Sequence, residues 1–392
     1  MALFEPSRSV TEILKLAERP DVISLAGGLP DPAVFDIDRV RESMDRVLKD
    51  EGAAALNYGP NPGFTKLREW IAERMQVKEN VSVTPESILV ASGGVDGINL
   101  AAMSMLDPGD TVLVEAPTYV AALHIFRSYE ARIVSLPIDD DGLDTDALAV
   151  RLDELAREGV RPKLLYLNPS FQNPSGRTLS LSRREKVVEL GRRHGVPIIE
   201  DHAYAELVYD DAPLPSLKSI DPSNVVFVHT FSKIFGPGVR LGWVAADAAL
   251  IERLGLCKLG TDQCSNTLTQ RLVYDYGRHG GIDVQVARSI KLYRRKRDAM
   301  ESAMKEYFPP ALNWTHARGG FFLWVRLEDD ADSEALLRNA IESTKTAFVA
   351  GPSFFADGSG SNYLRLSFSF VAEDKIEEGI RRLSRAINSV QT

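Results

Sequence analysis

Short apolar runs alternate with amphipathic segments from about residue 85 to about residue 245 of the chain. The apolar runs are rich in Val, Ile and Leu without a polar alternation, which is typical of strands buried on both faces. The segments between them repeat their apolar positions with the period of a helix. Together they predict a mostly parallel sheet that is covered by helices on both faces. The predicted strands are 87–91, 111–116, 132–137, 163–168, 196–201 and 224–230.

The chain after about residue 280 has a different pattern. A long amphipathic helix is predicted over 283–308, and a closing helix over 372–387. The segments 319–327 and 363–369 alternate apolar and polar positions, as half-buried strands do. We therefore expect an α/β fold with a large, seven-stranded-type sheet and a smaller α+β domain. The predicted division is 1–45 for an N-terminal segment that packs with the small domain or a partner subunit, 46–285 for the large domain and 286–392 for the small domain.

Composition and charge exclude several classes of protein. The chain has 392 residues, of which 44% are hydrophobic and 26% charged, as in ordinary globular domains. Its formal net charge of −9 disfavours a nucleic-acid partner, because phosphate binding favours a basic face. No apolar run approaches the roughly 18 residues of a membrane helix, and the N-terminus lacks a signal-peptide pattern. Cys257 and Cys264 are too few for a disulfide framework or a zinc site. We expect a cytoplasmic protein without nucleic-acid, membrane or metal partners.

One lysine stands among small residues in the segment HTFSKIFGPGVRLGW, which covers 229–243. Lys233 becomes a nucleophile towards carbonyl groups only if burial or a nearby cation makes its amine partly neutral. Arg240 could supply that cation and could also clamp a phosphate, because its guanidinium is planar and bidentate. Thr230 and Ser232 offer hydroxyl groups to the same phosphate. The alternative is an exposed surface lysine, which is the common case.

Two carboxylates end the predicted strand 196–201, in the segment EDHAY. A carboxylate at this position can keep the nitrogen of a heteroaromatic ring protonated, and the phenol of Tyr204 can bond a ring hydroxyl. Because ligands of such sheets bind beyond the carboxyl ends of the strands, the position is suitable. The spacing alone does not choose between Glu200 and Asp201. A solvated turn carboxylate is the other interpretation.

Three further segments lie at the same predicted edge. The backbone amides of Gly94 and Val95 open a helix and suit an anion such as phosphate, although a simple capping turn explains them equally well. Tyr119 follows a strand and could stack on a planar ring, or it could be a core tyrosine. The amide of Asn173, before Pro174, could bond a ring oxygen, or the motif could be only a turn.

Together these groups are the set that pyridoxal phosphate needs: an amine, an acid, a phenol, a phosphate site and a stacking ring. The chain resembles the fold-type I pyridoxal-phosphate-dependent aminotransferases of class I/II. It is most similar to the 2-aminoadipate-type and broad-specificity aminotransferases, and the resemblance covers nearly the whole chain. The motifs, in the family's order, are ISLAGGLPDPAVF, LNYGPNPGFTKLREWIAERM, FQNPSGRTLS, EDHAYAEL, FSKIFGPGVRLGWV, GGFFLWVRL and NYLRLSFS.

The resemblance implies a role for each candidate residue around the cofactor. Lys233 would form the Schiff base and later move the proton during a ping-pong amino transfer. Asp201 would pair with the ring nitrogen, and Tyr119 would stack on the ring. Tyr204 and Asn173 would bond the ring oxygen. The phosphate would be held by Gly94, Val95, Thr230, Ser232 and Arg240, with Tyr58 reaching it from the other subunit of a homodimer.

The resemblance also implies how an amino acid and a 2-oxo acid are bound. Arg365 would clamp the substrate α-carboxylate, with Asn173 and the backbone of Gly28 assisting. The residue pattern agrees, because an arginine within the alternating strand YLRLSFS is unusual unless it faces an anion. An outward-facing strand arginine is the alternative.

One departure from the 2-aminoadipate-type pattern bears on the substrate. Those enzymes usually have an arginine near the N-terminus that meets a distal carboxylate, whereas Thr11 stands there in this chain and Arg8 is out of register. We therefore do not expect a strong preference for long acidic substrates; a neutral, aromatic or specialised amino acid is an equal expectation. His202, after the aspartate, is interpreted as a wall residue.

Two alternative functions remain at this point. The same cofactor on the same fold can support elimination, decarboxylation or oxidative deamination of an amino acid, since a fold does not fix a function. The fold also serves as the effector-binding part of bacterial transcription regulators. We disfavour the second alternative. Such regulators carry a DNA-binding helix-turn-helix module before the fold, whereas only about two dozen residues precede ISLAGG in this chain, and the chain is acidic.

Overall fold

The computed structural model describes residues 19–390, so Arg8 and Thr11 lie outside the described residues. Its large sheet has eight strands, which contain all six strands predicted from the apolar runs. The strands are β2 (Ile88–Ala91), β3 (Thr111–Ala116), β4 (Arg132–Asp139), β5 (Gly142–Leu143), β6 (Leu164–Leu167), β7 (Ile198–Asp201), β8 (Val225–Thr230) and β9 (Gly242–Ala245).

The strand order across this sheet is β2-β9-β8-β7-β6-β3-β4-β5. Strands β4, β3, β6, β7 and β8 run parallel to their neighbours in that series, which confirms the predicted mostly parallel sheet. Strand β9 is antiparallel to both β8 and β2, and the two-residue strand β5 is antiparallel to β4. Strand β9 was not among the predicted strands.

Helices cover both faces of the large sheet and continue into the rest of the chain. The buried strands pack against them through aliphatic side chains, in separate clusters on the two faces. The helices are α1 (Ile37–Ala55), α2 (Thr65–Glu79), α3 (Gly94–Met105), α4 (Val120–Ser128), α5 (Thr145–Arg157), α6 (Leu181–His194), α7 (Leu217–Ile220), α8 (Ala248–Leu259), α9 (Thr267–Arg278), α10 (Gly281–Tyr307), α11 (Ser333–Asn339) and α12 (Ile376–Val390).

A second, smaller sheet is formed by the C-terminal part of the chain. The remaining strands are β1 (Ile23–Ser24), β10 (Asn313–Trp314), β11 (Phe322–Arg326), β12 (Thr346–Ala347), β13 (Val349–Ala350) and β14 (Tyr363–Ser367). The strand order of the small sheet is β10-β11-β14-β13, and all of its pairs are antiparallel. A separate parallel pair joins β1, near the described N-terminus, to β12.

The long helix α10 packs against both parts of the chain. Its first turns place Ile282 in a cluster with the large sheet, whereas Met300 lies in a cluster with the small sheet. Leu25 and Val34, from the segment before α1, also belong to the small-sheet cluster. The predicted domain boundaries at 46 and 286 stay a prediction. Among the described residues, no helix is long and apolar enough to cross a membrane.

Candidate functional site

The candidate site lies at the carboxyl ends of β6, β7 and β8, and Lys233 follows the last of these strands. The Lys233 side chain is part-buried, and its Nζ donates a hydrogen bond to the main-chain oxygen of Gly28 over 2.8 Å. Nζ also lies 5.7 Å from the ring centroid of Tyr204. Burial lowers the pKa of Lys233 to about 8, and the charges of Arg365 and Arg240 act in the same direction. The amine is therefore partly neutral near pH 8, as a nucleophile towards carbonyl groups must be.

Asp201 is the last residue of β7, and its carboxylate is buried. The phenol of Tyr166 donates a hydrogen bond to its Oδ2 over 2.7 Å. Burial raises the pKa of Asp201 to about 6, although this hydrogen bond and the charge of Lys233 oppose the rise. A buried carboxylate whose side-chain hydrogen bond comes from a neutral phenol is suited to a cationic ring nitrogen.

The neighbouring carboxylate of Glu200 points elsewhere, because successive side chains of a strand face opposite sides. Its two oxygens accept hydrogen bonds from the backbone nitrogens of Leu217 (3.0 Å) and Lys218 (2.9 Å), at the start of α7. Glu200 therefore caps a helix, and Asp201 alone of the pair belongs to the site. The sequence spacing did not distinguish Glu200 from Asp201, and the alternating side-chain directions along β7 now do so.

Arg365 in β14 is buried and donates two hydrogen bonds to neutral groups. Its Nη1 donates to Oδ1 of Asn173, and its Nη2 to the main-chain oxygen of Ala26, each over 2.7 Å. The guanidinium lies 4.2 Å from the ring centroid of Phe322 and 5.0 Å from that of Phe354. Its Nε has no hydrogen-bond partner within the described residues, and burial lowers the pKa of Arg365 to about 10. A buried cation among aromatic rings is a binding site for an anionic group.

Tyr204 and Asn173 lie between Lys233 and Arg365. Tyr204 is buried against Phe322, with ring centroids 5.5 Å apart in an edge arrangement. Burial raises the pKa of Tyr204 well above its usual value, against a hydrogen bond with Asn173. The phenol is therefore a neutral hydrogen-bonding group near neutral pH.

The candidate anion site lies where α3 begins. Gly93 precedes the helix with a φ of 111°, and a Cβ at this position would stand only 3.0 Å from Nη2 of Arg240. The first backbone amides of the helix, those of Gly94 and Val95, have no intrahelical acceptor. Thr230 is buried beside them and donates through Oγ1 to Oγ of Ser232 over 2.9 Å. Two amides, two hydroxyls and an exposed guanidinium thus lie around the Gly93 turn, and these are the kinds of donor that bind a phosphate.

Of the three remaining candidate residues, Tyr119 and Gly28 lie beside the other site residues and Tyr58 lies on the surface. Tyr119 precedes α4, and its phenol is close enough to Asp201 and Arg365 for their charges to act on it, while burial raises its pKa to about 12. Gly28 supplies the oxygen that Lys233 contacts, and a Cβ there would stand 2.8 Å from Cζ of Phe322. Tyr58 differs, because its side chain is 85% exposed on the surface after α1.

His202 lies on the Glu200 side of β7 and is buried. Its Nε2 is 2.9 Å from Oε1 of Glu79. Burial by itself would lower the pKa of His202, but the carboxylates of Glu79 and Glu200 raise it to about 10. His202 therefore carries a paired charge behind the site.

Sequence reasoning missed three buried polar residues that support the site. They are Tyr166, which contacts Asp201, and Glu115 and Asn168, which contact each other. A signal was present for two of them, because a tyrosine and an asparagine interrupt the otherwise aliphatic run KLLYLN and need buried hydrogen-bond partners. The identity of those partners depends on strands that are distant in sequence.

The donor set fits pyridoxal phosphate. Asp201 suits a protonated ring nitrogen, the donor groups around the Gly93 turn suit a phosphate, and Lys233 suits an aldehyde. The charge of Arg365, whose hydrogen bonds go to neutral groups, suits the carboxylate of a second molecule. Within the described residues, no group of three or more His, Cys, Asp or Glu side chains could hold a metal ion.

The fold and this donor set define an enzyme of amino-group chemistry, and comparison with known sequences gives its family. The family described as Aminotransferase class I and II matches residues 20–383. The chain therefore belongs to this family, and it is an aminotransferase.

The similar proteins are named for several amino acids. The chain is 39% identical to the aromatic-amino-acid aminotransferase 1 of Thermococcus litoralis, over 98% of this chain and 93% of that protein. It is 36% identical to the 2-aminoadipate transaminase of Thermus thermophilus, over 97% of this chain and 94% of that protein. Its fold matches the crystal structure of a kynurenine aminotransferase from Pyrococcus horikoshii with a TM-score of 0.95 and 37% identity, over 98% of this chain and 95% of the other.

A relative from Bacillus subtilis is named an uncharacterized HTH-type transcriptional regulator. It is 29% identical over 98% of this chain, and the match spans 78% of that protein. This identity is lower than the 39% and 36% of the Thermococcus litoralis and Thermus thermophilus aminotransferases.

Proposed function

We propose that this aminotransferase uses pyridoxal phosphate, held as a Schiff base by Lys233, to move the α-amino group of an L-amino acid to a 2-oxo acid with ping-pong kinetics. The observation that carries the proposal is that the Lys233 amine lies 2.8 Å from the Gly28 oxygen and 5.7 Å from the Tyr204 ring, close enough to Asp201 and Arg365 for both charges to act on it. An acid for a ring nitrogen, an amine for an aldehyde and a cation for a carboxylate thus meet at one place. Two solved relatives support the cofactor, since one is a complex with PMP and the other a complex with N-(5'-phosphopyridoxyl)-L-leucine.

Each group of the site would hold one part of the cofactor. Asp201 would bond the ring nitrogen, Tyr204 and Asn173 the ring oxygen, and Tyr119 would lie on the ring face. The phosphate would be held by Gly94, Val95, Thr230, Ser232 and Arg240. When bound, the cofactor supplies an electron sink for the bonds of the substrate Cα.

Lys233 moves the proton at the substrate Cα. Its Nζ is partly neutral near pH 8, so it can accept this proton and return it. The rings of Tyr204 and Phe321 lie 5.7 Å and 5.5 Å from Nζ and cover part of the amine.

Arg365 orients the donor by its α-carboxylate, with Asn173 and the Gly28 backbone beside it. Its guanidinium contacts the rings of Phe322 and Phe354, and its two hydrogen bonds go to neutral groups. A bidentate guanidinium fixes both oxygens of a carboxylate and therefore the direction of the Cα bonds. We propose neutral and aromatic amino acids as the donors. The names of the aromatic-amino-acid and kynurenine aminotransferases support this class.

We also propose a homodimer in which Tyr58 of one subunit reaches the phosphate site of the other. The support is a surface with large apolar side chains, since Leu56 is 74% and Tyr58 is 85% exposed. Such a patch marks a surface that another chain covers, and twofold dimers are the commonest oligomers.

Reductive trapping tests the role of Lys233. The protein is loaded with pyridoxal phosphate, treated with borohydride, which reduces carbon–nitrogen double bonds, and mapped by peptide mass spectrometry. We expect the cofactor on Lys233 and none in the Lys233→Ala variant.

Lys218 is the matched control for this experiment. It is also buried, and burial lowers its pKa to about 8, but its Nζ donates to the main-chain oxygen of Val225 over 2.7 Å. A label on Lys218 with none on Lys233, or an unchanged label in Lys233→Ala, would refute the proposal.

A further inference from the structure

The side-chain amide of Asn168 is buried between the ends of neighbouring strands. Asn168 follows the last residue of β6 and is 2% exposed. Its Nδ2 donates a hydrogen bond to the main-chain oxygen of Asp201 over 2.6 Å. Its Oδ1 accepts one from the backbone nitrogen of Asn173 over 3.0 Å. One side chain therefore ties the backbone of Asp201 to the backbone of Asn173.

Glu115 in β3 fixes this asparagine from a third strand. The carboxylate of Glu115 is 3% exposed, and its Oε2 accepts a hydrogen bond from the backbone nitrogen of Asn168 over 3.0 Å. Burial raises the pKa of Glu115 to about 7, while the bonds from Asn168 and the side chain of Gln172 oppose the rise. Gln172 is itself anchored, since its Nε2 donates to the main-chain oxygen of Pro117 over 2.9 Å.

A continuous series of hydrogen bonds results. It runs from Asp201 through Asn168 to Asn173, and from Oδ1 of Asn173 to Arg365. Asp201 is the proposed partner of the ring nitrogen, and Arg365 is the proposed partner of the substrate carboxylate. Asn168 has no direct contact with either functional group, because it bonds the backbone of Asp201 and the backbone of Asn173.

We propose that Asn168 is a positioning residue, which holds Asp201 and Asn173 in register so that the cofactor-nitrogen partner and the substrate-carboxylate clamp are fixed together. This inference rests on the proposed function. Its physical basis is that a small displacement of an aligned group lowers the rate and the affinity strongly. Removal of the amide also leaves a buried main-chain oxygen and a buried main-chain nitrogen without their partner.

The test compares the wild-type protein with Asn168→Leu, which has nearly the same shape and no hydrogen-bonding groups. Two quantities are measured: the dissociation constant of pyridoxal phosphate from the cofactor-free protein, and KM for an aromatic amino acid. We expect the dissociation constant and KM each to rise about tenfold, the effect of about 1.4 kcal/mol. A merely structural residue would change the melting temperature and leave both quantities unchanged.

Asn224→Leu is the matched control. The side chain of Asn224 donates through Nδ2 to the main-chain oxygen of Val196 over 3.0 Å, where β7 and β8 begin. That amide lies at the opposite end of the same strands, so its loss lowers stability without changing cofactor affinity or KM.

The outcomes separate the inference from the proposed function. If Asn168→Leu keeps wild-type values of the dissociation constant and KM, Asn168 is not a positioning residue, whatever the melting temperature. If Asn168→Leu does not fold, Asn168→Ser, whose side chain is too short to reach both partners, is measured in the same way and judged by the same values. If the wild-type protein does not bind pyridoxal phosphate, the proposed function fails, and the inference fails with it.

Discussion

The chemistry of Lys233 depends on the surroundings of its amine. Burial, Arg365 and Arg240 lower its pKa to about 8, and Asp201 opposes them. The neutral amine is the form that attacks an aldehyde, so its fraction rises as the pH rises through the pKa. The rate at which pyridoxal phosphate attaches to the cofactor-free protein should therefore rise with pH and level off above a midpoint of about 8.

A variant of Arg365 tests the cause of that midpoint. Arg365→Leu removes a positive charge that disfavours protonation of Lys233, so the midpoint should move to higher pH. The rate is followed by the visible absorbance of the attached cofactor. A midpoint near the ordinary lysine pKa of 10.5 in the wild-type protein would show that the surroundings do not act on Lys233 as described.

Asp201 gives a second pH dependence, of the same sense but with a lower midpoint. Its pKa of about 6 in the cofactor-free protein means that it is protonated below this pH, where it no longer pairs with a cationic ring nitrogen. Affinity for pyridoxal phosphate should therefore fall as the pH falls through about 6. Tyr166→Phe removes the hydrogen bond that lowers this pKa, so the fall should begin at higher pH. Titrations at several pH values measure it, and an unchanged midpoint in Tyr166→Phe would contradict the assignment.

Among the elements, strand β9 supports the anion site by its closeness to the Gly93 turn. A Cβ at Gly242 would stand 2.5 Å from the main-chain oxygen of His229 and 2.8 Å from the carbonyl carbon of Gly93. A side-chain movement cannot relieve this clash, because both of these neighbours are backbone atoms. The first strand residue must therefore be glycine for β9 to lie between β2 and β8.

Gly242→Ala should lower the free energy of unfolding by about 3 kcal/mol, at the upper end of the usual cost of overpacking. It should also weaken pyridoxal phosphate binding, because the displaced turn carries the candidate phosphate amides. Gly238→Ala is the control, since a Cβ at that position meets nothing within 4 Å. Denaturant unfolding and cofactor titration measure the two effects. Equal behaviour of the two variants would contradict this account of β9.

At the scale of the whole molecule, the proposed dimer places residues of two subunits in each site. Co-expressed Lys233→Ala and Tyr58→Ala subunits would form some mixed dimers, in which one site has both Lys233 and Tyr58. The mixture should be more active, at limiting cofactor, than the two separate preparations together. Activity no greater than their sum, in a preparation shown to contain mixed dimers, would place Tyr58 outside the partner's site.

The features that could be predicted from the sequence depend on residues close together in the chain, whereas the others depend on contacts between distant residues. Buried strands and amphipathic helices are local patterns, so the large sheet could be predicted. Lys233 and Asp201 could be predicted as neighbours, because both follow strand ends at one edge of that sheet. The partners of Asn168 could not, since they come from β3 and β7 and from the loop after β6. The antiparallel β9 was missed for a similar reason, as its two neighbours are fixed only by packing.

The central claim is that the protein uses pyridoxal phosphate for amino transfer, and one measurement tests it most directly. The cofactor-loaded protein is mixed with an aromatic amino acid and no 2-oxo acid, and the products are counted per subunit. The account predicts one equivalent of 2-oxo acid, retention of the amino group on the cofactor, and no further turnover until a 2-oxo acid is added. Continued turnover that releases ammonia or carbon dioxide would contradict it and would assign this fold to elimination, oxidative deamination or decarboxylation.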